Sequence, residues 1–243
     1  MKAVAAGRSP LIVPSLRALW IADDLSAVGD GGAVTTWTDR INGFAPTQPT
    51  AGYKPTYRAT GGPNSRPSVQ CDGGDILTLA TASPVSTASS GCVIVVGSGN
   101  SGAFWSSARN TGAINYMVGV VVTGQLRMQS HEGGPVGADI SYATSPTGNN
   151  IIEWASSGSA WSIRINNAVQ SLSQNGGSNN GRWFSGVTSR DRFAIGGLSY
   201  NGTANNFLTG HIAALIVIDA PLVGAARTNL YRYLSAKYAI AVS

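Results

Sequence analysis

The chain has 243 residues, of which 43% are hydrophobic and only 11% charged, with 31 glycines and a formal net charge of +5. The basic residues are scattered without a run, which argues against a nucleic-acid-binding protein. No stretch approaches the ~18 consecutive apolar residues of a transmembrane helix, so we expect no membrane insertion. The apolar fraction is sufficient for a core, and abundant Gly, Ser, Thr and Asn favour many short strands joined by tight turns.

Residues 1–15 are predicted to form an extended arm, followed by a single domain over 16–243. The arm has an apolar patch between two prolines, and proline restricts the residue before it to extended conformations. Such a segment is suited to lie along a neighbouring subunit or along its own sheet. We assign the arm to assembly, with these residues as its contacts: Pro10, Leu11, Ile12, Val13 and Pro14.

The first residues are not typical of a signal peptide. Arg8, Pro10 and Pro14 follow closely on Met1, so no uninterrupted apolar segment forms. We therefore expect synthesis in a host cytoplasm without export by the usual route.

The centre of the chain is predicted to consist of strands. Segment 92–96 is apolar throughout, which is typical of a central strand. Thr123-Gly124 and Asn166-Asn167 separate apolar segments and are favourable hairpin turns. Further strands are predicted over 33–38, 66–71, 113–122, 125–130, 150–155, 160–165 and 192–198. With about thirteen strands in all, a two-sheet sandwich is expected.

The C-terminal segment contains the strongest local signals. Residues 212–218 are apolar on both alternating faces, as in a strand covered on both sides. Asp219-Ala220-Pro221 then turns the chain, because proline cannot donate to a strand ladder. Four residues follow at a spacing of four and predict one amphipathic helix: Ala226, Leu230, Leu234 and Tyr238.

These motifs resemble a known family. A strand with Gly210, Ile212, Ala213, Leu215, Val217 and Asp219, then a helix with Tyr233, Leu234, Lys237 and Tyr238, is similar to the closing segment of laminin-G-like, concanavalin-A-like domains of bacterial and phage proteins. Segments 18–26, 33–50 and 54–79 resemble that family's opening strands. The resemblance implies an all-β, two-sheet antiparallel jelly-roll sandwich with one short C-terminal helix.

No catalytic residues are predicted. Retaining glycosidases place two carboxylates close together, whereas Glu132 and Glu153 are the only glutamates and lie in different contexts. His131 and His211 do not have metal-ligand spacing, and no nucleophile-elbow motif occurs. We therefore expect a protein that is not an enzyme.

No cofactor is expected, although calcium is considered. Four aspartates could bind calcium together with loop carbonyls, or could simply hold turns: Asp23, Asp24, Asp72 and Asp75. Turn formation is the preferred interpretation, and no metal site is predicted.

A glycan site is considered because sugar rings, with one apolar face and a polar rim, bind aromatic platforms beside amides. Trp20, Trp37, Trp154 and Trp161 lie within strand patterns and are predicted to be core residues. The alternative for the loop aromatics is packing beneath loops or at a subunit interface. Trp183 is the preferred platform, and the candidate glycan-binding residues are Trp105, Trp183, Arg182, Tyr200, Asn179 and Asn180.

Together these features favour a non-enzymatic virion structural protein of a tailed bacteriophage, in the capsid decoration, tail or baseplate. Its expected partners are other virion proteins, copies of itself and a host surface polysaccharide. The alternative is a dedicated, lectin-like carbohydrate-binding module. A glycoside hydrolase is disfavoured by the absent carboxylate pair.

Overall fold

The computed structural model of the protein describes residues 13–81, 84, 87–112, 114–133 and 138–243. Within them the chain forms one α-helix, α1 (Gly224–Tyr238), and short 3-10 segments at Ala22–Val28, Ala51–Tyr53, Pro63–Ser65 and Phe184–Gly186. The strands are β1 (Leu16–Ile21), β2 (Thr56–Arg58), β3 (Ser68–Asp72), β4 (Leu77–Leu79), β5 (Gly91–Ala108), β6 (Tyr116–Val122), β7 (Gln125–His131), β8 (Asp139–Thr144), β9 (Asn150–Ser156), β10 (Trp161–Ile165), β11 (Ala168–Val169), β12 (Ser173–Gln174), β13 (Arg192–Ile195), β14 (Leu198–Tyr200), β15 (Thr203–Asn205) and β16 (Thr209–Ile218).

The strands form two antiparallel layers. The back sheet runs in the order β11-β10-β9-β5-β16, with β1 and β3 both beside β16 and β2 beside β3. The front sheet runs in the order β4-β13-β5-β6-β7-β8-β12. The predicted two-sheet antiparallel sandwich with one C-terminal helix is confirmed.

Strand β5 belongs to both sheets. Its first half pairs with β9 and β16, and its second half pairs with β6 and β13. Between the halves, Gly102 has φ +89°, and a Cβ there would lie 2.0 Å from the carbonyl oxygen of Phe207. Only glycine fits this close approach, so the passage between sheets depends on it.

The main core lies between the two sheets. Trp20, Trp37, Trp154 and Trp161 are all within it and at most 3% exposed, which confirms their prediction as core residues. Trp20 stacks on Phe193 of the front sheet with ring centroids 5.8 Å apart. These large aromatic rings bridge the layers and supply much of the buried apolar area that stabilises the fold.

A second core lies between the back sheet and α1. The predicted apolar stripe contributes Leu230, Leu234 and Tyr238, each 1% exposed, against Ile94 and Ile216 of the sheet. The back sheet is therefore covered on both faces, which explains why the side chains on both faces of β16 are apolar.

The predicted arm is only partly within the described residues. Pro10, Leu11 and Ile12 lie outside them, so their assignment to assembly stays a prediction. Val13 is buried and packs into the second core, while Pro14 is exposed.

The predicted hairpin turns are confirmed. Thr123 and Gly124 join β6 to β7 with φ of 49° and 75°, and Asn166 and Asn167 join β10 to β11 with φ of 51° and 72°. Two consecutive positive φ angles match the twist of the flanking strands. Within the described ranges, no helix is long and apolar enough to cross a membrane.

Candidate functional site

The outward side of β7 and β8 in the front sheet is polar, aromatic and half-buried. Alternate residues of β7, such as Leu126 and Met128, point into the main core. The side chains between them point outward and are only half-buried. We call this surface the front face, and its residues are Gln125, Arg127, Gln129, His131, Ile140 and Tyr142.

Strand register places these side chains in rows. Arg127 pairs with Tyr142 of β8 on one side and with Val120 of β6 on the other. Directly paired residues lie side by side on one face, with Cβ atoms roughly 4.5–5.5 Å apart. The side chains of Arg127 and Tyr142 therefore leave the sheet as neighbours on the front face.

The β14–β15 hairpin covers the part of the front sheet beside the front face. Leu198 packs on Val118 and Val120, which are each 2% exposed. Tyr200 lies over Tyr116 with ring centroids 5.7 Å apart at 44°. The hairpin thus buries the outward side of β6 and presents half-exposed Tyr200 at the rim of the front face.

Hydrogen bonds order the polar groups of the front face. Gln129 Nε2 donates to Tyr116 Oη at 2.5 Å, and Arg127 Nε donates to Gln125 Oε1 at 2.9 Å. His131 stacks on Tyr116 at 5.7 Å, and its Nδ1 lies 2.6 Å from the carbonyl oxygen of Ile114. Since a carbonyl only accepts, Nδ1 is the donor, which leaves Nε2 as an acceptor in the neutral ring.

The structure corrects two predicted platform residues. Trp105 lies in β5 rather than in a loop and is 0% exposed, and Trp183 is 1% exposed. Their rings pack edge to face 6.3 Å apart, with Phe184 4.9 Å from Trp183. The prediction that they form an exposed platform is wrong, because core aromatic rings cover the faces that a sugar would need.

The side chains of Asn179 and Asn180 are engaged in hydrogen bonds within the protein. Asn179 binds both the N–H and the carbonyl of Trp161, at 2.5 and 3.1 Å. Asn180 donates to Asp139 Oδ2 at 2.9 Å and accepts from the N–H of Arg182 at 2.9 Å. These amides hold the loop to the sheet.

Arg182 is also engaged. Its guanidinium lies 3.3 Å from Glu132 and 4.0 Å from Asp139. Of the three predicted aromatics, Tyr200 is the one that stays half-exposed beside polar groups. Arg127, Gln129 and Tyr142 were missed, although the alternation of polar and apolar residues along 125–131 marks the outward set.

The two glutamates lie in different environments. Glu153 is fully buried beneath α1, where Arg227 and Tyr231 bind it. Glu132 follows β7 and accepts from the N–H of Thr188 at 3.1 Å. Each carboxylate has a structural role.

The aspartates considered for calcium hold turns and ion pairs. Asp23 lies 2.9 Å from Lys237 Nζ, and Asp24 pairs with Arg40. Asp75 accepts from the N–H of Asp72 at 3.0 Å. In the part of the chain that the structure describes, no group of three or more His, Cys, Asp or Glu side chains is placed to hold a metal.

A second polar feature is a cleft of about 310 Å³ on the back sheet. His211 Nδ1 lies 3.2 Å from Ser68 Oγ, and Arg58 donates to Gln70 at 2.6 Å. Burial, together with the nearby Arg58, lowers the pKa of His211. The lining residues are Gln70, Cys71, Asp72, Ser98, Gly99, Asn100, Thr209, Gly210 and His211, so the cleft lacks the aromatic platform of a sugar site.

No protein-family model matches the sequence, and no curated protein matches it either. Among solved structures, the chain is similar to domain 4 of AbnA, a GH43 extracellular arabinanase from Geobacillus stearothermophilus, in complex with arabinotriose. The identity is 17% and the TM-score 0.59, covering 89% of this chain and 98% of that one.

Two further solved structures are similar. The CBM40 of the Ruminococcus gnavus IT-sialidase bound to α2,6-sialyllactose is 12% identical with a TM-score of 0.50, covering 60% of this chain and 85% of that one. The leech intramolecular trans-sialidase is 10% identical with a TM-score of 0.53, covering 69% of this chain but only 27% of that larger one. At such low identities the similarity establishes the fold, which is a jelly-roll β-sandwich.

Proposed function

We propose that this protein is a glycan-binding domain and that it binds through the front face. One observation carries the proposal: Tyr142, Arg127 and Gln129 lie together, half-exposed, with Tyr200 at the rim. Two similar solved structures, named above, are complexes with arabinotriose and with sialyllactose, which supports a carbohydrate ligand for this fold.

The chemistry of the front face is suited to sugar recognition. A tyrosine ring covers the apolar C–H face of a pyranose or furanose, while amide and guanidinium N–H groups donate to its hydroxyls. Gln129 and Arg127 already have ordered side chains, so less conformational entropy is lost on binding.

We propose further that binding is not coupled to hydrolysis. Glu153 is buried beneath the helix, and Glu132 accepts from Thr188 and shares Arg182 with Asp139, so these carboxylates are held by bonds within the protein.

The virion role stays a prediction, and it is based on the laminin-G-like resemblance of the sequence. A tail or decoration protein that binds host surface polysaccharide would use the same front face. Detection of this chain in purified bacteriophage particles by mass spectrometry would test that location independently of glycan binding.

The glycan proposal is tested with the full chain on a glycan array, followed by titration of the best ligand. We expect Tyr142→Ala and Tyr200→Ala each to weaken binding about tenfold or more, since losing an aromatic contact costs roughly 1.5–3 kcal/mol. Their melting temperatures should stay close to that of the unmodified protein.

Tyr53 provides the matched control. It is 46% exposed and stacks on Phe207, away from β7 and β8. Tyr53→Ala should leave glycan binding unchanged. The proposal is refuted if the unmodified chain binds no glycan, or if all three variants bind equally well.

A further inference from the structure

We infer that the front face selects saccharides that carry a carboxylate, and that Arg127 is the residue that recognises this group. The inference rests on the proposed glycan-binding function and specifies its ligand class. It follows from the distribution of charge across the whole chain rather than from the front face alone.

The acidic side chains of this protein are all engaged internally. The chain has 11 Asp and Glu residues, and all of them lie within the described ranges. Some are in ion pairs with Arg or Lys: Asp23, Asp24, Glu132, Asp139, Glu153 and Asp219. The others accept hydrogen bonds from backbone N–H groups: Asp30, Asp39, Asp72, Asp75 and Asp191.

Arg127 has no such partner. In the described part of the chain it makes no ion pair, and its one side-chain hydrogen bond is from Nε to Gln125 at 2.9 Å. Its two terminal nitrogens therefore have no acceptor among the described residues, although Arg127 lies in the middle of a half-buried surface. The nearest acid along β8, Asp139, is bound by Asn180 and Ser178.

A guanidinium group in this position is a carboxylate receptor. Its two terminal N–H groups match the two oxygens of a carboxylate in a bidentate, charge-assisted pair, which is stronger than a neutral hydrogen bond. Arg127 is only half-exposed between its cross-strand neighbours Val120 and Tyr142, and partial burial strengthens an electrostatic interaction. Tyr142, the neighbour of Arg127 on β8, would supply the ring on which the sugar that carries the acid stacks.

The chain as a whole carries a formal net charge of +5, which favours the approach of an anionic ligand at low ionic strength.

The experiment uses two matched pairs of probes with the full chain, at one pH and at two salt concentrations. The first pair is polygalacturonate and its methyl ester, and the second is sialyllactose and its methyl ester. The members of each pair differ only in the free carboxylate, and the two pairs distinguish a uronic from a sialic acid. We expect the acidic member of at least one pair to bind about tenfold or more tightly, as for a charge-assisted hydrogen bond.

Arg127→Gln should abolish that preference, because it weakens binding of the acidic probe far more than binding of the neutral probe, and it should keep the melting temperature. Arg232→Gln is the matched control, because Arg232 is exposed on α1 and its loss removes the same charge elsewhere. Arg127→Lys should restore only part of the preference, since an ammonium cannot form the bidentate pair.

The possible failures are distinguishable. Equal binding of acidic and neutral probes overturns this inference and leaves the glycan-binding proposal standing. An equal loss in Arg127→Gln and Arg232→Gln overturns it too, because net charge would then be the cause. If no saccharide binds at all, the proposed function falls together with the inference.

Discussion

Arg227 of α1 places its Nη1 2.9 and 2.8 Å from the two carboxylate oxygens of Glu153, a residue of β9 with no exposed side-chain surface. Tyr231, one turn further along the helix, donates to the same carboxylate at 3.0 Å. Burial raises the pKa of Tyr231, and the adjacent Glu153 raises it further. The buried carboxylate therefore joins the helix to the back sheet.

Glu153→Gln should destabilise the fold. Removing the charge leaves Arg227 partly buried without its counter-ion, and breaking a buried pair from one side costs about 3 kcal/mol or more. Urea unfolding monitored by tryptophan fluorescence would measure the loss.

The informative control combines Arg227→Met with Glu153→Gln in a double variant. The double variant no longer buries Arg227 without its counter-ion, so it should be more stable than Glu153→Gln alone. A change below about 0.5 kcal/mol for Glu153→Gln would contradict a structural role for this pair.

Leu234→Ala tests the docking of the helix. Leu234 is 1% exposed in the second core, and deleting a buried leucine side chain costs about 2–5 kcal/mol. Denaturant unfolding of Leu234→Ala should show this loss. Arg232→Ala, on the exposed side of the same helix, should stay within about 0.5 kcal/mol, and equal effects of the two changes would mean that the helix is peripheral.

Trp183→Ala should lower stability, in contrast to the behaviour of a surface platform. The ring is buried against Trp105 and Phe184, so its removal should cost about 3–5 kcal/mol. Trp183→Phe should cost less, because the buried Nε1 has no hydrogen-bond partner to lose in the described structure. Thermal melts would compare the melting temperatures of the unmodified protein and the two variants. An unchanged melting temperature for Trp183→Ala would contradict the burial of this ring.

Asp75→Asn should change the pH dependence of stability. Burial raises the pKa of Asp75 to about 6, above the ~3.9 of an unfolded chain. Folding therefore favours the protonated acid. The contribution of Asp75 to the free energy of unfolding is therefore complete below about pH 4 and is lost as pH rises through about 6.

The uncharged variant Asp75→Asn escapes this loss. It should be more stable than the unmodified protein at pH 8, and the difference should shrink as pH falls to 4. Chemical unfolding at pH 4, 6 and 8 would measure it, with pH 4 as the internal reference. A difference that is constant across this range would show that Asp75 does not titrate as proposed.

Much of the architecture could be predicted because it depends on residues close together in the chain. The turns at Thr123-Gly124 and Asn166-Asn167 need only the local tolerance for positive φ. The strand over 212–218 and the helical stripe of Leu230 and Leu234 need only the periodicity of apolar residues.

The candidate site could not be predicted in the same way, because it is assembled from distant segments. Tyr200 reaches the front face only because the β14–β15 hairpin folds over β6, and Arg127 acquires Tyr142 as a neighbour through strand register. Trp183 follows a polar loop in the sequence, yet the fold turns it into the core, where burial of its ring is worth more than exposure.

The amino-acid sequence by itself thus determined the strands, the turns and the closing helix, since hydrophobic periodicity and backbone preference act over a few residues. Only the tertiary structure decided which polar groups are satisfied within the protein and which remain for a ligand. Glu153 meets Arg227 across 74 positions, whereas Arg127 meets no acid among the described residues. Such pairing depends on which side chains lie close together in the folded protein, and the local pattern of residues along the chain does not predict this.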